Sequence, residues 1–190
     1  MMRTLNIPNT LTWCRIVLIP FFLLIFYLPF HYARLIAAFL FLLAAITDWL
    51  DGFLARQLKQ TSAFGAFLDP VADKLMVATA LILLVSQYPT PWMVIPGIVV
   101  VCREIVISAL REWMAEIGKR AVVKVSVIGK IKTVVQMIAL LILISQPTGF
   151  SVVVVIGMIF MYAAVILTLW SMLIYLGAAW KVLRHTLHSE

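Results

Sequence analysis

Six apolar runs, each close to the length of a bilayer-crossing helix, take up most of this 190-residue chain. Spanning the hydrocarbon core requires about 20 apolar residues in a helix, and such runs fall at roughly 11–30, 34–55, 66–88, 92–113, 125–145 and 150–177. Turn-forming stretches separate them: Pro29-Phe30-His31, the polar segment Arg56 to Ser62, Tyr88-Pro89-Thr90-Pro91, Glu116 to Arg120, and Gln146-Pro147-Thr148-Gly149. With 64% hydrophobic and only 12% charged residues, the chain has too little polar surface to coat itself for water. The expectation is an all-α integral membrane protein, a single domain over 1–190. It has six transmembrane helices and a short interfacial segment at residues 3–10 before the first of them. Arg3 and the run Ile16 to Phe30 have the outline of a signal peptide, but no small-x-small site follows, so the run reads as an uncleaved first span.

Basic residues set the expected orientation. Of the 15 Lys and Arg, all but Arg34 fall on one side of this six-span topology, and Lys and Arg collect on the cytoplasmic side of membrane proteins. Both termini and the region around residues 48–73 are therefore expected to be cytoplasmic. The same bias accounts for the net charge of +7 through contact with anionic headgroups. No arginine-rich or stacked-aromatic tract argues for nucleic acid. Cys14 and Cys102 form no disulfide framework and read as small packing residues, and Trp92, Trp170 and Trp180 suit interfacial belts or packing.

Four of the eight acidic residues, Asp48, Asp51, Asp69 and Asp73, straddle the end of the second run and the start of the third. The stretch Leu35 to Ile46 before them is wholly apolar. At 1.5 Å per residue, Asp48 lies about 20 Å along the helix from Arg34, still within the cytoplasmic half of the bilayer. A carboxylate at the membrane centre costs roughly 2.5–3.5 kcal/mol, so four cost on the order of 10 kcal/mol there and less at this depth. Salt bridges to Arg56 and Lys74 cannot neutralise four anions. Asp48 and Asp51 share a helix face at i, i+3, and Asp69 and Asp73 share another at i, i+4; a turn between the helices brings the pairs together. Pro70 is best tolerated in a first turn, which places the proper start of the third helix near Asp69. Gly52 and Gly65 leave room for a ligand. An all-oxygen site without His or Cys suits Mg²⁺ or Mn²⁺, which complete their coordination with phosphate oxygens.

The pattern Asp48-x-x-Asp51-Gly52-x-x-Ala55-Arg56, then positions 57–64, then Gly65-x-x-x-Asp69-x-x-x-Asp73 resembles the signature of the CDP-alcohol phosphotransferase family without a departure. Three further stretches are similar to the branch that uses glycerol 3-phosphate as acceptor. They are Asn6 to Thr12 with Arg15, Arg103-Glu104-Ile105 to Arg111-Glu112-Trp113, and Ser126 to Thr133 with Gly129, Lys130 and Lys132. The resemblance implies a homodimer in a bacterial cytoplasmic (inner) membrane, with a polar cavity open to the cytoplasm. It also implies two Mg²⁺ (or Mn²⁺) ions held by Asp48, Asp51, Asp69 and Asp73 against the diphosphate of CDP-diacylglycerol. Asn9, Thr12, Gly52, Arg56, Ser62 and Gly65 then bind the CDP-diacylglycerol, and Asp73 is the general base.

The acceptor's phosphate needs cations that the donor does not use. Arg103, Arg111, Lys124, Lys130 and Lys132 are the candidates, Arg being the better bidentate partner. Arg103 lies deep in an apolar run, and Glu104, about 100° around the helix, is expected to reach Arg111 at i+7. Other acceptors are the alternatives within the family: phosphatidylglycerol, serine or inositol phosphate. A divalent-cation transporter would want carboxylates along a path across the bilayer, and an intramembrane prenyltransferase would have its aspartate clusters on separate, widely spaced loops.

Overall fold

The computed structural model describes residues 7–57, 63–118, 127–146, 149 and 151–187, leaving aside the side chains of 7–9, 49, 51–57, 63, 64, 66, 127, 128, 130, 181–183 and 185–187. Among the described residues the chain is all-helical: α1 Ile7–Tyr27, α2 Ala33–Gln57, α3 Ala63–Gln87, α4 Pro91–Glu116, α5 Val127–Ser145 and α6 Val152–Leu187. Three of these are long and apolar enough to cross a membrane, over Thr10–Tyr27, Pro91–Glu116 and Val152–Trp180, and the shorter Ile131–Ser145 is also apolar. This is a membrane protein.

Three boundaries differ from the sequence expectation. α1 begins at Ile7 and runs unbroken into the first span, so the later part of the expected interfacial segment belongs to the helix. α3 begins at Ala63, not near Asp69, and carries Pro70 inside it. A proline costs its helix one hydrogen bond to the carbonyl four residues back, and membrane helices tolerate this where neighbours re-satisfy the carbonyl; Pro20 and Pro96 also lie within helices. α6 continues to Leu187, beyond the expected 177, because helix length there outlasts the hydrophobic run. Both cysteines are free and exposed, so neither is a core packing residue. Trp92, Trp170 and Trp180 are exposed too, which removes packing as their role.

The chain divides into two compact units, Met1–Pro89 with Leu140–Val155 and Thr90–Ala139 with Ile156–Glu190. In the first, α1 packs on both α2 and α3. It buries a single stripe, Thr12, Arg15, Phe22 and Phe26, whose spacing keeps all four on one helical face. The opposing stripe of α2 is largely alanine, Ala33, Ala37, Ala38 and Ala44 around Phe41. Lipid is as apolar as these side chains, so close approach of small residues, not expulsion of water, drives such packing. The rings of Phe22 and Phe41 meet at 6.1 Å. α3 answers with Leu68, Ala72, Met76, Ala80 and Leu84, one residue per turn.

At the end of α2 away from Asp48, Arg34 stacks over Phe26 at 3.6 Å and donates to Gln87 Oε1 at 2.8 Å. Gln87 in turn donates to the Gln146 carbonyl at 2.9 Å. Arg34 thus clasps α1, α2, α3 and the residue following α5. Arg34→Ala is expected to destabilise this unit by about 1–3 kcal/mol, read as a lower thermal midpoint in detergent.

In the second unit, α4 starts with Pro91 in its first turn, where a missing N–H costs nothing. It ends at Glu116, and two residues on the Gly118 N–H closes the last turn on the Ala115 carbonyl at 3.1 Å, with a φ of 70° at Gly118 that glycine adopts without penalty. Ile107 and Met114 of α4 pack with Tyr175 and Ala179 of α6.

Candidate active site

One turn of α1 joins the two aspartate-bearing helices. Arg15 is 1% exposed and donates from Nη1 to Asp48 Oδ1 of α2 at 2.7 Å. Thr12, fully buried, donates its hydroxyl to Asp69 Oδ1 of α3. Thr12 and Arg15 are three residues apart on the same face, so Asp48 and Asp69 are delivered to the same turn of α1 from opposite flanks. Asp48 reaches this position by continuing the inward stripe Ala37, Phe41, Ala44. Asp73 stands one helical turn beyond Asp69 and, like Asp48 and Asp69, is half-buried.

These carboxylates can hold a divalent cation by the chemistry of the donor set. All donors are oxygen, the contacts to α1 fall on Oδ1 of Asp48 and of Asp69, and a carboxylate accepts on both of its oxygens. The partial exposure of Asp48, 42%, leaves a route for a ligand. No group of three His, Cys, Asp or Glu placed to hold a metal occurs among the described residues. Asp51, the fourth expected ligand, lies in α2 with its side chain outside the described set, as do Gly52 and Arg56. Asn9 lies in α1 with its side chain likewise outside, and Ser62 and Lys124 lie outside the described residues altogether. Gly65 is buried.

In the second unit, α4, α5 and α6 bring a different set together. Arg103 donates from Nη1 to Glu104 Oε1 at 2.9 Å and from Nη2 to Ser171 Oγ of α6 at 2.9 Å. Lys132 of α5 donates to the same Glu104 oxygen at 2.5 Å. Arg111 takes no part in this ion cluster. It is exposed, two turns farther along α4, with its guanidinium 5.5 Å from the centre of the Tyr175 ring. The expectation that Glu104 reaches Arg111 is therefore wrong. A rise of about 10 Å separates i and i+7, whereas Lys132 on the neighbouring helix meets Glu104 directly.

The model of the CDP-alcohol phosphatidyltransferase family matches residues 5–170, which takes in the aspartates and the Arg103–Lys132 set alike. The chain belongs to the CDP-alcohol phosphatidyltransferase family. Among its relatives, the protein named CDP-diacylglycerol--glycerol-3-phosphate 3-phosphatidyltransferase in Sodalis glossinidius is 58% identical over 175 residues, 92% of this chain and 95% of that one. Its namesake in Pectobacterium atrosepticum is 58% identical over 174 residues, 92% and 94% of the two chains. That of Yersinia enterocolitica is 55% identical over 177 residues, 93% and 96%.

This CDP-alcohol phosphatidyltransferase also buries polar residues that its sequence does not single out. Arg15 was legible as part of a resembling stretch but not as the partner of Asp48, for which Arg56 and Lys74 were weighed. An arginine inside an apolar span was the available signal. Ser171, Thr168 and Gln136 were passed over inside apolar helices, although all three are buried. Gln136 lies one turn past Lys132, and Thr168 one turn before Ser171. Gln136 Oε1 and Thr168 Oγ1 have no hydrogen-bond partner among the described residues.

Proposed function

We propose that this chain transfers the phosphatidyl group of CDP-diacylglycerol to glycerol 3-phosphate, forming phosphatidylglycerol phosphate and CMP. The observation that carries this reading is similarity over nine-tenths of both chains, 92% and 95%, to an enzyme of that name. The joining of Asp48 and Asp69 at one turn of α1 supports it.

The whole chain acts as one domain, its six helices crossing a bacterial cytoplasmic membrane. Both termini and the aspartates lie on the cytoplasmic side around a cavity open to it, and the working form is a homodimer. Asp48, Asp51, Asp69 and Asp73 hold two Mg²⁺ or Mn²⁺ ions, which when bound supply positive charge beside the diphosphate. Asn9, Thr12, Gly52, Ser62 and Gly65 line the CDP end, and Arg56 offsets the charge that develops on the departing nucleotide. Asp73 takes the proton from the acceptor hydroxyl as that oxygen attacks the β-phosphorus, the one bearing diacylglycerol. The new P–O bond forms while the bond from this phosphorus to the CMP oxygen breaks.

The acceptor's own phosphate is bound by Arg103, Arg111, Lys124 and Lys132, of which Arg103 and Lys132 meet at one Glu104 oxygen in the second unit. A phosphate-free acceptor such as serine would bring no phosphate to these two buried cations, which share one Glu104 oxygen.

The test is to incubate purified protein in lipid vesicles with CDP-diacylglycerol and Mg²⁺, adding glycerol 3-phosphate, serine, inositol phosphate or phosphatidylglycerol in turn, and to follow CMP. Release with glycerol 3-phosphate alone is expected. Release only with serine or only with phosphatidylglycerol overturns the acceptor assignment, and movement of the metal across the vesicle wall without CMP release overturns the enzyme.

A further inference from the structure

We infer that Glu104 is a positioning residue for the acceptor site: it holds Arg103 of α4 and Lys132 of α5 side by side and so sets the affinity for a phosphomonoester acceptor. The inference rests on the acceptor reading above and goes beyond it, since Glu104 does not itself bind a phosphate.

The cluster is lopsided in charge and in burial. The Arg103 and Lys132 side chains are 7% and 4% exposed, yet they share one carboxylate, which is itself 29% exposed. Two like charges that both reach the same Glu104 oxygen, at 2.9 and 2.5 Å, repel one another strongly where water is scarce. The anion between them offsets that repulsion and draws both to one point. With Glu104 in place the trio still carries one excess positive charge, which suits an incoming phosphate.

Two observations show that the arrangement is held for a ligand and not merely neutralised. Ser171 fixes the second guanidinium nitrogen of Arg103 at 2.9 Å while donating its own proton to the Thr168 carbonyl, so the guanidinium plane is pinned from two sides. The remaining Nε of Arg103 is buried and has no partner among the described residues. A buried donor left without a partner costs free energy, and an oxyanion satisfies it. Arg's planar fork binds phosphate well only when its orientation is set beforehand. Glu104 and Ser171 supply that setting from α4 and α6.

Glu104→Gln keeps the shape of the side chain and an acceptor oxygen but removes the charge that holds the two cations together. Steady-state kinetics of the full chain in vesicles, following CMP, should show the KM for glycerol 3-phosphate rising at least about tenfold, with the KM for CDP-diacylglycerol within about twofold of the parent. Glu104→Asp, which restores the charge on a shorter arm, should recover part of the loss. Inorganic phosphate, as a competitive inhibitor against glycerol 3-phosphate, should weaken in parallel. Ser171→Ala removes the other anchor of Arg103 without changing charge, and should raise the same constant by a smaller factor even if Glu104→Gln fails to fold. Should Glu104→Gln and Ser171→Ala both leave the acceptor KM unchanged while Arg103→Ala raises it, the positioning role is wrong and the acceptor site stands. If neither Arg103→Ala nor Lys132→Ala raises that KM, the acceptor site itself is misplaced and the role of Glu104 falls with it.

Discussion

Asp73→Asn is expected to lower kcat by about 10²–10⁴-fold, the usual contribution of a positioned general base. The amide has nearly the shape of the carboxylate but cannot take the acceptor's proton. Asp73 stands one turn beyond Asp69 on α3, and Asp69 is tied to α1 through Thr12, so the substitution leaves the link between α1 and α3 intact. Because Asp73 is also proposed as a metal ligand, the experiment includes a Mg²⁺ titration of CMP release. A lost base leaves kcat low at saturating Mg²⁺. Recovery of near-normal turnover at high Mg²⁺ would reduce Asp73 to a ligand and move the base elsewhere, and unchanged turnover at any Mg²⁺ would remove it from the chemistry.

Arg15→Met should produce the second large effect, a fall in activity of about 10–100-fold, the loss typical when the partner of a metal-binding carboxylate is removed. Asp48 then loses the guanidinium at 2.7 Å that orients it. The loss should appear as a higher Mg²⁺ concentration for half-maximal CMP release. Arg15→Lys should restore the charge and part of the activity, though not the fork geometry. A Mg²⁺ midpoint identical to the parent would show that Arg15 only packs α1 against α2. The two substitutions separate cleanly: one blocks proton transfer at full metal occupancy, and the other loosens the metal site while leaving the base in place.

Much of the fold was legible because helix ends and apolar length are local properties. The six expected runs lie on the six helices, and the turn residues Pro91 and Gly118 mark the ends of α4 as their backbone preferences require. α3 was placed less well. A single proline was read as a helix start, whereas the flanking sequence holds the helix together from Ala63. The aspartates were legible for a different reason: carboxylates in an apolar setting are costly, and their i, i+3 and i, i+4 spacings set the shared faces.

The partners of those residues were not legible. Asp48 meets Arg15, Asp69 meets Thr12, Glu104 meets Lys132 and Arg103 meets Ser171, each pair from different helices. Which face of one helix meets which face of the next depends on rotation and axial register. α6 is apolar around its whole circumference over most of its length, so its sequence offers no cue to how it is turned. Spacing along the chain suggested Arg111 for Glu104, but a helix seven residues on has risen about 10 Å, while a neighbouring helix lies within reach.

By itself the sequence therefore determined the six helices found among the described residues, the membrane setting and the acidic character of the paired helix ends, all of which follow from local composition and helical periodicity. Only the tertiary structure decided that one turn of α1 ties α2 to α3, and that Glu104 gathers Arg103 and Lys132. Such pairings arise from the close packing of side chains from separate helices, and no stretch of sequence encodes them alone.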